Sequence, residues 1–178
     1  GEVRKNYRTE GHGPPLVLQH GFTGSIDDWY DLGYVDGLRA EHRLILVDSR
    51  GHGASGKPHD PAAYHDTHLA ADVVAVLNDL DIPRSHFLGY SLGGRIGFAL
   101  GVYAPERFSS LVLGGISPYA RIPTRKAADR QRIRIWEQGR EAYAASLEPL
   151  GPGFDRYKTR ALAGDFEAFI AMSRSHSL

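Results

Sequence analysis

The stretch that decides the fold is HFLGYSLGG, residues 86–94. Ser91 stands at the centre of a Gly89-x-Ser91-x-Gly93 motif, after a short apolar run and before a glycine-rich helical pattern. A serine on such a strand-to-helix turn has strained backbone geometry, and bulky residues two positions away would clash. The sequence therefore predicts an elbow that presents Ser91 as a nucleophile, with the Leu92 N–H as an oxyanion donor.

Working outward, four short apolar runs predict strands buried on both faces, as in a parallel sheet. They are Leu16–Gln19, Leu44–Val47, His86–Leu88 and Leu111–Leu113. Helical patterns lie between them: one from Asp66 to Leu80, capped by Asp66 or Thr67, and one that begins at Ser91. This alternation predicts an α/β fold with a doubly wound, mostly parallel sheet, and Val3 to Thr9 is expected to add an antiparallel edge strand.

A second glycine motif, His20-Gly21-Phe22-Thr23-Gly24, follows the first apolar run. The glycines allow the backbone to bend toward a substrate, and the Phe22 N–H is predicted to be the second oxyanion donor. We interpret His20 as a side chain that braces this loop rather than as the catalytic base, because it precedes the nucleophile in the chain.

The run GHGASGKP, residues 51–58, matches two nucleotide-binding patterns, G-x-G-x-x-G and most of a phosphate loop. The residues around the run do not complete either pattern. Pro58 occupies the metal-binding hydroxyl position of the phosphate loop, and the prolines at 58 and 61 disfavour the helix that a dinucleotide motif opens. We interpret these glycines as a tight connection beside a site.

Taken together, HGFTG, DSRGHGAS after a strand, and GYSLGG resemble the α/β-hydrolase superfamily over about residues 3 to 118. The resemblance implies a serine hydrolase that acts on a small ester or acyl substrate without a cofactor. It also implies two regions, the N-terminal part of the core (1–118) and a helical cap (119–178). The aromatic and apolar residues expected to line that cap are Trp136, Tyr143, Phe154, Phe166, Phe169 and Ile170. The same machinery in this superfamily serves carbon–carbon hydrolases, cofactor-free perhydrolases and a menaquinone-pathway synthase, and Arg95 is compatible with the last.

The resemblance also implies a triad acid and histidine, in the order Ser, Asp/Glu, His. The strands that should carry them are not visible, so we expect a chain truncated after the cap, with the acid and base supplied from elsewhere. His176, with Asp155 or Asp165, satisfies the order formally. The competing interpretation is a non-catalytic module that binds a ligand or a partner. An unpaired sheet edge predicts self-association or a complementing chain.

Composition excludes other classes of function. The 178 residues contain 21 Lys and Arg against 21 Asp and Glu, so no bulk charge indicates nucleic acid or an anionic membrane. There is no cysteine, which excludes disulfides and thiol catalysis, and His65 and His68 lack the third ligand of a metal site. No apolar run is long enough for a membrane helix, and no signal peptide is present, so a cytoplasmic location is expected. The initial Gly indicates a processed or engineered start.

Overall fold

A five-stranded sheet forms the centre of the fold. The computed structural model describes residues 3–117 and 123–175. Its strands are β1 (Asn6–Glu10), β2 (Pro15–Gln19), β3 (Arg43–Asp48), β4 (Ser85–Tyr90) and β5 (Phe108–Gly114). Their order in space is β1-β3-β2-β4-β5; β1 is antiparallel to β3, and the other neighbours are parallel. The predicted mostly parallel sheet with an antiparallel first strand is confirmed, although β1 begins three residues later than expected.

Helices follow the strands on both sides of the sheet. They are α1 (Asp27–Asp31), α2 (Tyr34–Leu38), α3 (Asp66–Asp79), α4 (Leu92–Tyr103), α5 (Pro123–Glu137), α6 (Arg140–Leu147), α7 (Asp155–Ala163) and α8 (Phe166–Ser175). Short 3₁₀ turns occupy Pro61–Tyr64, Pro105–Arg107, Glu148–Leu150 and Pro152–Phe154. Among the described residues, none of these helices has the length and apolarity needed to cross a membrane.

The core divides along the two faces of the sheet because alternate side chains of a strand point in opposite directions. Val17, Ile45 and Phe87 pack with apolar residues of α3 and α4. Leu18 and Leu44 point to the other face and pack with Trp29 of α1 and neighbouring residues. Both faces of β2 and β3 are therefore buried, which explains why these strands are continuously apolar in sequence. This arrangement confirms the doubly wound fold. The prediction that Leu111–Leu113 is buried on both faces is wrong, because Val112 of the edge strand β5 is exposed.

The predicted cap of α3 is wrong. The residue before the helix is His65, and no side chain bonds the free amides of the first turn. Asp66 lies inside that turn, and its carboxylate pairs with Arg95 of α4 at 2.7 Å. The acid therefore ties two helices together instead of closing the end of its own helix.

The C-terminal part of the described chain is helical, as the resemblance implied. The sequence predicts two basic amphipathic stretches there, around Arg125 to Leu147 and Tyr157 to Met172, and each is divided. Gly139, with φ 98°, separates α5 from α6, and Gly164 separates α7 from α8. Trp136, Tyr143 and Phe169 of these helices form a cluster that also contacts Phe22 of the glycine loop after β2. The predicted boundary at Pro118 lies outside the described residues.

Candidate active site

The site lies where the connections of the sheet diverge. Strands β2 and β4 are neighbours, but β2 connects onward to β3 on one side and β4 connects onward to β5 on the other. In an open parallel sheet, this divergence leaves a crevice at the carboxyl ends of the two strands, where ligands bind. The segments that leave these ends are the glycine loop, residues 20–24, and the turn at Ser91.

Ser91 has the backbone geometry of an elbow. Its φ of 53° and ψ of −105° lie in a region that residues with a side chain rarely adopt. The Ser91 amide donates a hydrogen bond to the Gly114 carbonyl of β5 at 2.8 Å, and the Arg95 amide donates to the Ser91 carbonyl at 3.0 Å. Ser91 is half-buried, and its hydroxyl makes no hydrogen bond to any described residue. The surrounding structure thus holds a strained serine with an unengaged hydroxyl.

The glycines on either side of Ser91 are required by close backbone contacts. A Cβ on Gly89 would lie 2.3 Å from the Gly93 carbonyl oxygen, and one on Gly93 would lie 2.0 Å from the Gln19 carbonyl oxygen. The Gly93 amide donates to the His20 carbonyl at 3.1 Å. The first turn of α4 therefore lies directly against the end of β2, and only glycine fits in the contact.

Hydrogen bonds fix the peptide that carries the Phe22 amide. The Gly21 carbonyl accepts from the Gly24 amide at 3.1 Å and from His20 Nδ1 at 2.7 Å. Because this peptide is trans, the Phe22 N–H points away from the held carbonyl. A Cβ on Gly21 would lie 3.6 Å from the Ser91 Cβ, so the loop contacts the elbow here. Within residues 3–117 and 123–175, neither the Phe22 nor the Leu92 amide donates a hydrogen bond.

Thr23 holds the next peptide of the loop. It has a φ of 63°, which is strained for a β-branched residue. Its amide donates to His52 Nε2 at 3.0 Å, and its hydroxyl donates to the Phe22 carbonyl at 2.6 Å. A third contact joins the Thr23 hydroxyl to the Tyr157 hydroxyl of α7 at 2.7 Å. Both peptides that flank Phe22 are therefore fixed.

Two buried histidines support the loop through neutral rings. His20 Nε2 accepts from the Ser49 amide at 3.1 Å, so its proton lies on Nδ1 and faces the Gly21 carbonyl. His52 is arranged in the same way, accepting from Thr23 and donating from Nδ1 to the Arg50 carbonyl at 3.1 Å. Burial, with smaller contributions from His20 and Lys57, lowers the pKa of His52 to about 3. Since all four ring nitrogens serve the backbone, neither histidine is placed to act as a base.

Asp48 joins three segments beneath the loop. Its carboxylate accepts from the Ile26 amide at 2.9 Å, the Ala54 amide at 2.9 Å and the Asn6 side-chain amide at 2.8 Å. A Cβ on Gly53 would lie 2.1 Å from this carboxylate. The glycine run 51–58 therefore packs on a buried acid, and its role is architectural.

Aromatic rings surround the Phe22 side chain. Its ring centroid lies 5.5 Å from that of Trp136, 5.5 Å from that of Phe169 and 5.3 Å from that of His52. Of the aromatic residues expected to line a cap, Trp136, Tyr143 and Phe169 are buried, whereas Phe154 is half exposed on the surface. The C-terminal helices thus cover one side of the glycine loop with an apolar surface.

A cleft of about 370 Å³ borders the other residues of the loop. Thr23 and Gly24 contribute to its wall, together with His52, Arg160 and Phe169, but Ser91 does not line it. Its volume suits a small ligand, yet the strained serine and the two amides lie elsewhere. We therefore locate the candidate active site at the elbow and not in this cleft.

The described acid candidates, Asp165 and Asp155, do not contact Ser91. Asp165 pairs with His59 at 3.0 Å, Asp155 is exposed at the start of α7, and His176 lies outside the described residues. Throughout the described part of the chain, no group of three or more His, Asp or Glu side chains could hold a metal ion. The sequence does not predict His52, Tyr157 or Arg160 as supports of the loop.

Comparison with known proteins identifies the family of the chain. A family model described as the alpha/beta hydrolase fold matches residues 14–172. The chain is 32% identical over 158 residues to 3-oxoadipate enol-lactonase 2 of Acinetobacter baylyi, covering 86% of this chain and 57% of that protein. It is 31% identical over 140 residues to a Bacillus subtilis protein proposed to be a 2-succinyl-6-hydroxy-2,4-cyclohexadiene-1-carboxylate synthase, covering 76% and 50%.

Solved structures agree with the match. A hydrolase from Pseudomonas aeruginosa superimposes with a TM-score of 0.75 at 29% identity, covering 96% of this chain and 67% of that one. The chain spans about half the length of the curated relatives it matches.

Proposed function

Because the chain belongs to the α/β-hydrolase family, we propose that Ser91 is the nucleophile of an acyl hydrolase whose substrate is a small ester or lactone. The observation that carries the proposal is the strained backbone of Ser91, with φ 53° and ψ −105°, held between β5 and the end of β2. Strain of this kind persists only where the surroundings enforce it, and it clusters at functional sites.

In the proposed reaction, Ser91 Oγ forms a bond to the substrate carbonyl carbon while its proton passes to a general base. The carbonyl electron pair moves onto oxygen, and the Phe22 and Leu92 amides donate to that oxyanion. Collapse of the intermediate expels the alcohol with a proton, and water then cleaves the acyl-enzyme in the same way. Each oxyanion donor of this kind contributes roughly 10²–10³ in rate.

The base in this proposal is neither His20 nor His52, since the ring nitrogens of both are engaged by the backbone. We assign the triad acid and base to parts of the whole protein outside this chain, which spans about half the length of its curated relatives. A hydrolytic role is supported by the name of the enol-lactonase relative, a protein that acts on a lactone ester.

A second candidate is carbon–carbon bond chemistry on the same serine, supported by the Bacillus subtilis relative. Arg95, which is compatible with this branch, pairs with Asp66 at 2.7 Å and is only partly exposed. Because that guanidinium already has a carboxylate partner, the structure favours the hydrolase over a site that uses Arg95 to bind an anionic substrate.

The test is covalent labelling of Ser91 by a fluorophosphonate probe. We expect the parent, taken as the whole protein that supplies the acid and base, to be labelled at Ser91. Ser91→Ala should lose the label, because the oxygen that attacks the probe's phosphorus is gone. Ser109→Ala, at an exposed serine on β5, is the matched control and should label like the parent. Labelling that survives in Ser91→Ala, or a whole protein that resists the probe, would instead favour the non-catalytic binding module. Residues 1–178 that resist the probe while the whole protein is labelled would support an acid and base outside this chain.

Self-association through the sheet edge belongs to this proposal as well. On β5, one of the two edge strands of the described sheet, Val112 is 58% exposed, and such an edge can pair with another chain. Sedimentation velocity of the parent and of Val112→Lys tests this: we expect a dimer that the lysine disrupts. A parent that stays monomeric at high concentration contradicts it.

A further inference from the structure

Helix α7 contacts the glycine loop through a chain of hydroxyl groups. The Thr23 hydroxyl has a single proton, which it donates to the Phe22 carbonyl at 2.6 Å. In the 2.7 Å contact between the two hydroxyls, Tyr157 must therefore be the donor and Thr23 the acceptor. This order of donation links α7 directly to the peptide that follows Phe22.

A second link runs through an acid on the opposite side of the loop. Asp28 Oδ2 accepts from the Ser25 amide at 3.1 Å, and a Cβ on Gly24 would lie 2.2 Å from the same oxygen. The other oxygen, Asp28 Oδ1, bonds Nη2 of Arg160 in α7. One carboxylate thus holds the loop backbone and the helix at once.

Two arginines of α7 form ion pairs near this link, but only one of them bonds Asp28. Arg160 also bonds Asp31 at 2.6 Å, and Arg156, one turn earlier on α7, bonds the same acid at 2.7 Å. The Arg160 side chain is 23% exposed, whereas that of Arg156 is 81% exposed and does not contact Asp28. Two arginines of one helix therefore differ in whether they touch the acid that holds the loop.

We propose that Tyr157 and Arg160 are positioning residues, which hold the glycine loop so that the Phe22 amide points at the oxyanion. The inference rests on the proposed function, because it assigns α7 a part in assembling that same site. When α7 is in place, it holds the loop through the contacts of Tyr157 with Thr23 and of Arg160 with Asp28. Without α7 the loop loses both contacts and is held only by its bonds within the core, such as that from the Thr23 amide to His52. The C-terminal helices then control reactivity at Ser91 without touching the substrate.

The first experiment measures the rate constant of fluorophosphonate labelling in Tyr157→Phe and Arg160→Gln. Tyr157→Phe removes one hydroxyl, and Arg160→Gln removes the ion pair with Asp28. A misplacement of about 1 Å can cost about 10²-fold in rate. Because each variant removes only one of the two contacts from α7, we expect it to label about 5- to 20-fold more slowly. Arg156→Gln, with the same change of charge on the same helix, should stay within about twofold of the parent. Arg160→Lys should recover part of the loss.

The second experiment observes the loop without chemistry. In a Ser91→Ala background, the amide ¹H–¹⁵N signals of Phe22, Gly24 and Ser25 should shift in Tyr157→Phe and Arg160→Gln but not in Arg156→Gln. Circular dichroism and thermal melting verify that each variant is folded. A merely structural role would lower the melting temperature without moving these three amides selectively.

The outcomes separate the two proposals. A whole protein that is not labelled at Ser91 overturns the proposed function, and this inference with it. A parent that is labelled, with Tyr157→Phe and Arg160→Gln labelled equally fast, overturns this inference alone. This inference alone is also overturned if the loop amides shift without a change in the labelling rate, or if Arg156→Gln is labelled as slowly as Arg160→Gln.

Discussion

The Thr23 amide donates to Nε2 of His52 over 3.0 Å, and this bond requires that nitrogen to be unprotonated. The His52 ring is buried beside His20, and its pKa is lowered to about 3. The shape of the glycine loop therefore depends on a histidine that stays neutral well below neutral pH.

Acid should destabilise the fold through this residue. In the unfolded chain His52 binds a proton near its ordinary pKa of 6.5, whereas in the native chain it does so only near 3. Between these values the unfolded state holds the extra proton, so the free energy of unfolding falls as pH falls, by at most about 1.4 kcal/mol per pH unit. Denaturant unfolding at several pH values measures this slope.

His52→Gln should flatten the slope between pH 6.5 and 4, because an amide accepts from Thr23 but does not titrate. His12→Gln, at an exposed histidine, is the matched control and should keep the parent slope. An unchanged slope in His52→Gln would mean that other groups dominate the acid sensitivity.

The close packing of the elbow predicts a large cost for one methyl group. In Gly93→Ala the new Cβ would lie 2.0 Å from the Gln19 carbonyl oxygen, which is backbone and cannot move alone. We expect a loss of about 2–4 kcal/mol in the free energy of unfolding. Gly37→Ala in α2 meets nothing within 4 Å and should instead stabilise by roughly 0.5–1 kcal/mol. Equal effects in the two variants would contradict the packing.

Breaking the buried ion pair between Arg50 and Asp72 should also lower the free energy of unfolding strongly. Arg50 Nε and Nη2 bond the two oxygens of Asp72 at 2.6 Å and 2.7 Å. Asp72→Asn leaves the guanidinium buried without its counter-charge, which costs roughly 3–5 kcal/mol. Asp36→Asn breaks an exposed pair with Arg39 and should cost under about 1 kcal/mol. Chemical denaturation compares the two, and similar losses would contradict the assigned burial.

His59 should titrate above its ordinary range. The hydrogen bond to Asp165, together with the charges of Asp165 and Glu167, raises its pKa above 6.5. The pair contributes stability below pH 6.5, and this contribution is lost as pH rises through the raised pKa. An NMR titration of the imidazole should show this pKa falling strongly in Asp165→Asn and less in Glu167→Gln. A greater effect of Glu167→Gln would reverse the order of causes.

The fold could be predicted from sequence because its signals are local. Apolar runs such as Leu44–Val47 predict buried strands. The Gly89-x-Ser91-x-Gly93 motif predicts a turn whose close contacts are between backbone atoms. Both depend on residues within a few positions of one another. The resemblance to α/β hydrolases added the order of the motifs.

The supports of the loop could not be predicted in this way. Tyr157 and Thr23 are 134 positions apart, and a lone tyrosine on a basic helix has no pattern that indicates its partner. The error at the cap of α3 has the same origin, since the acid that could have bonded its own helix pairs with Arg95 instead. Long-range pairing overrides local preference at both places.

The neutral ring of His52 has one more consequence, for enzymology. With a pKa near 3, it keeps one charge state across the whole range in which assays are run. A bell-shaped rate profile between about pH 5 and 9 therefore does not report the ionisation of His52. This ring contributes a constant background to such a curve.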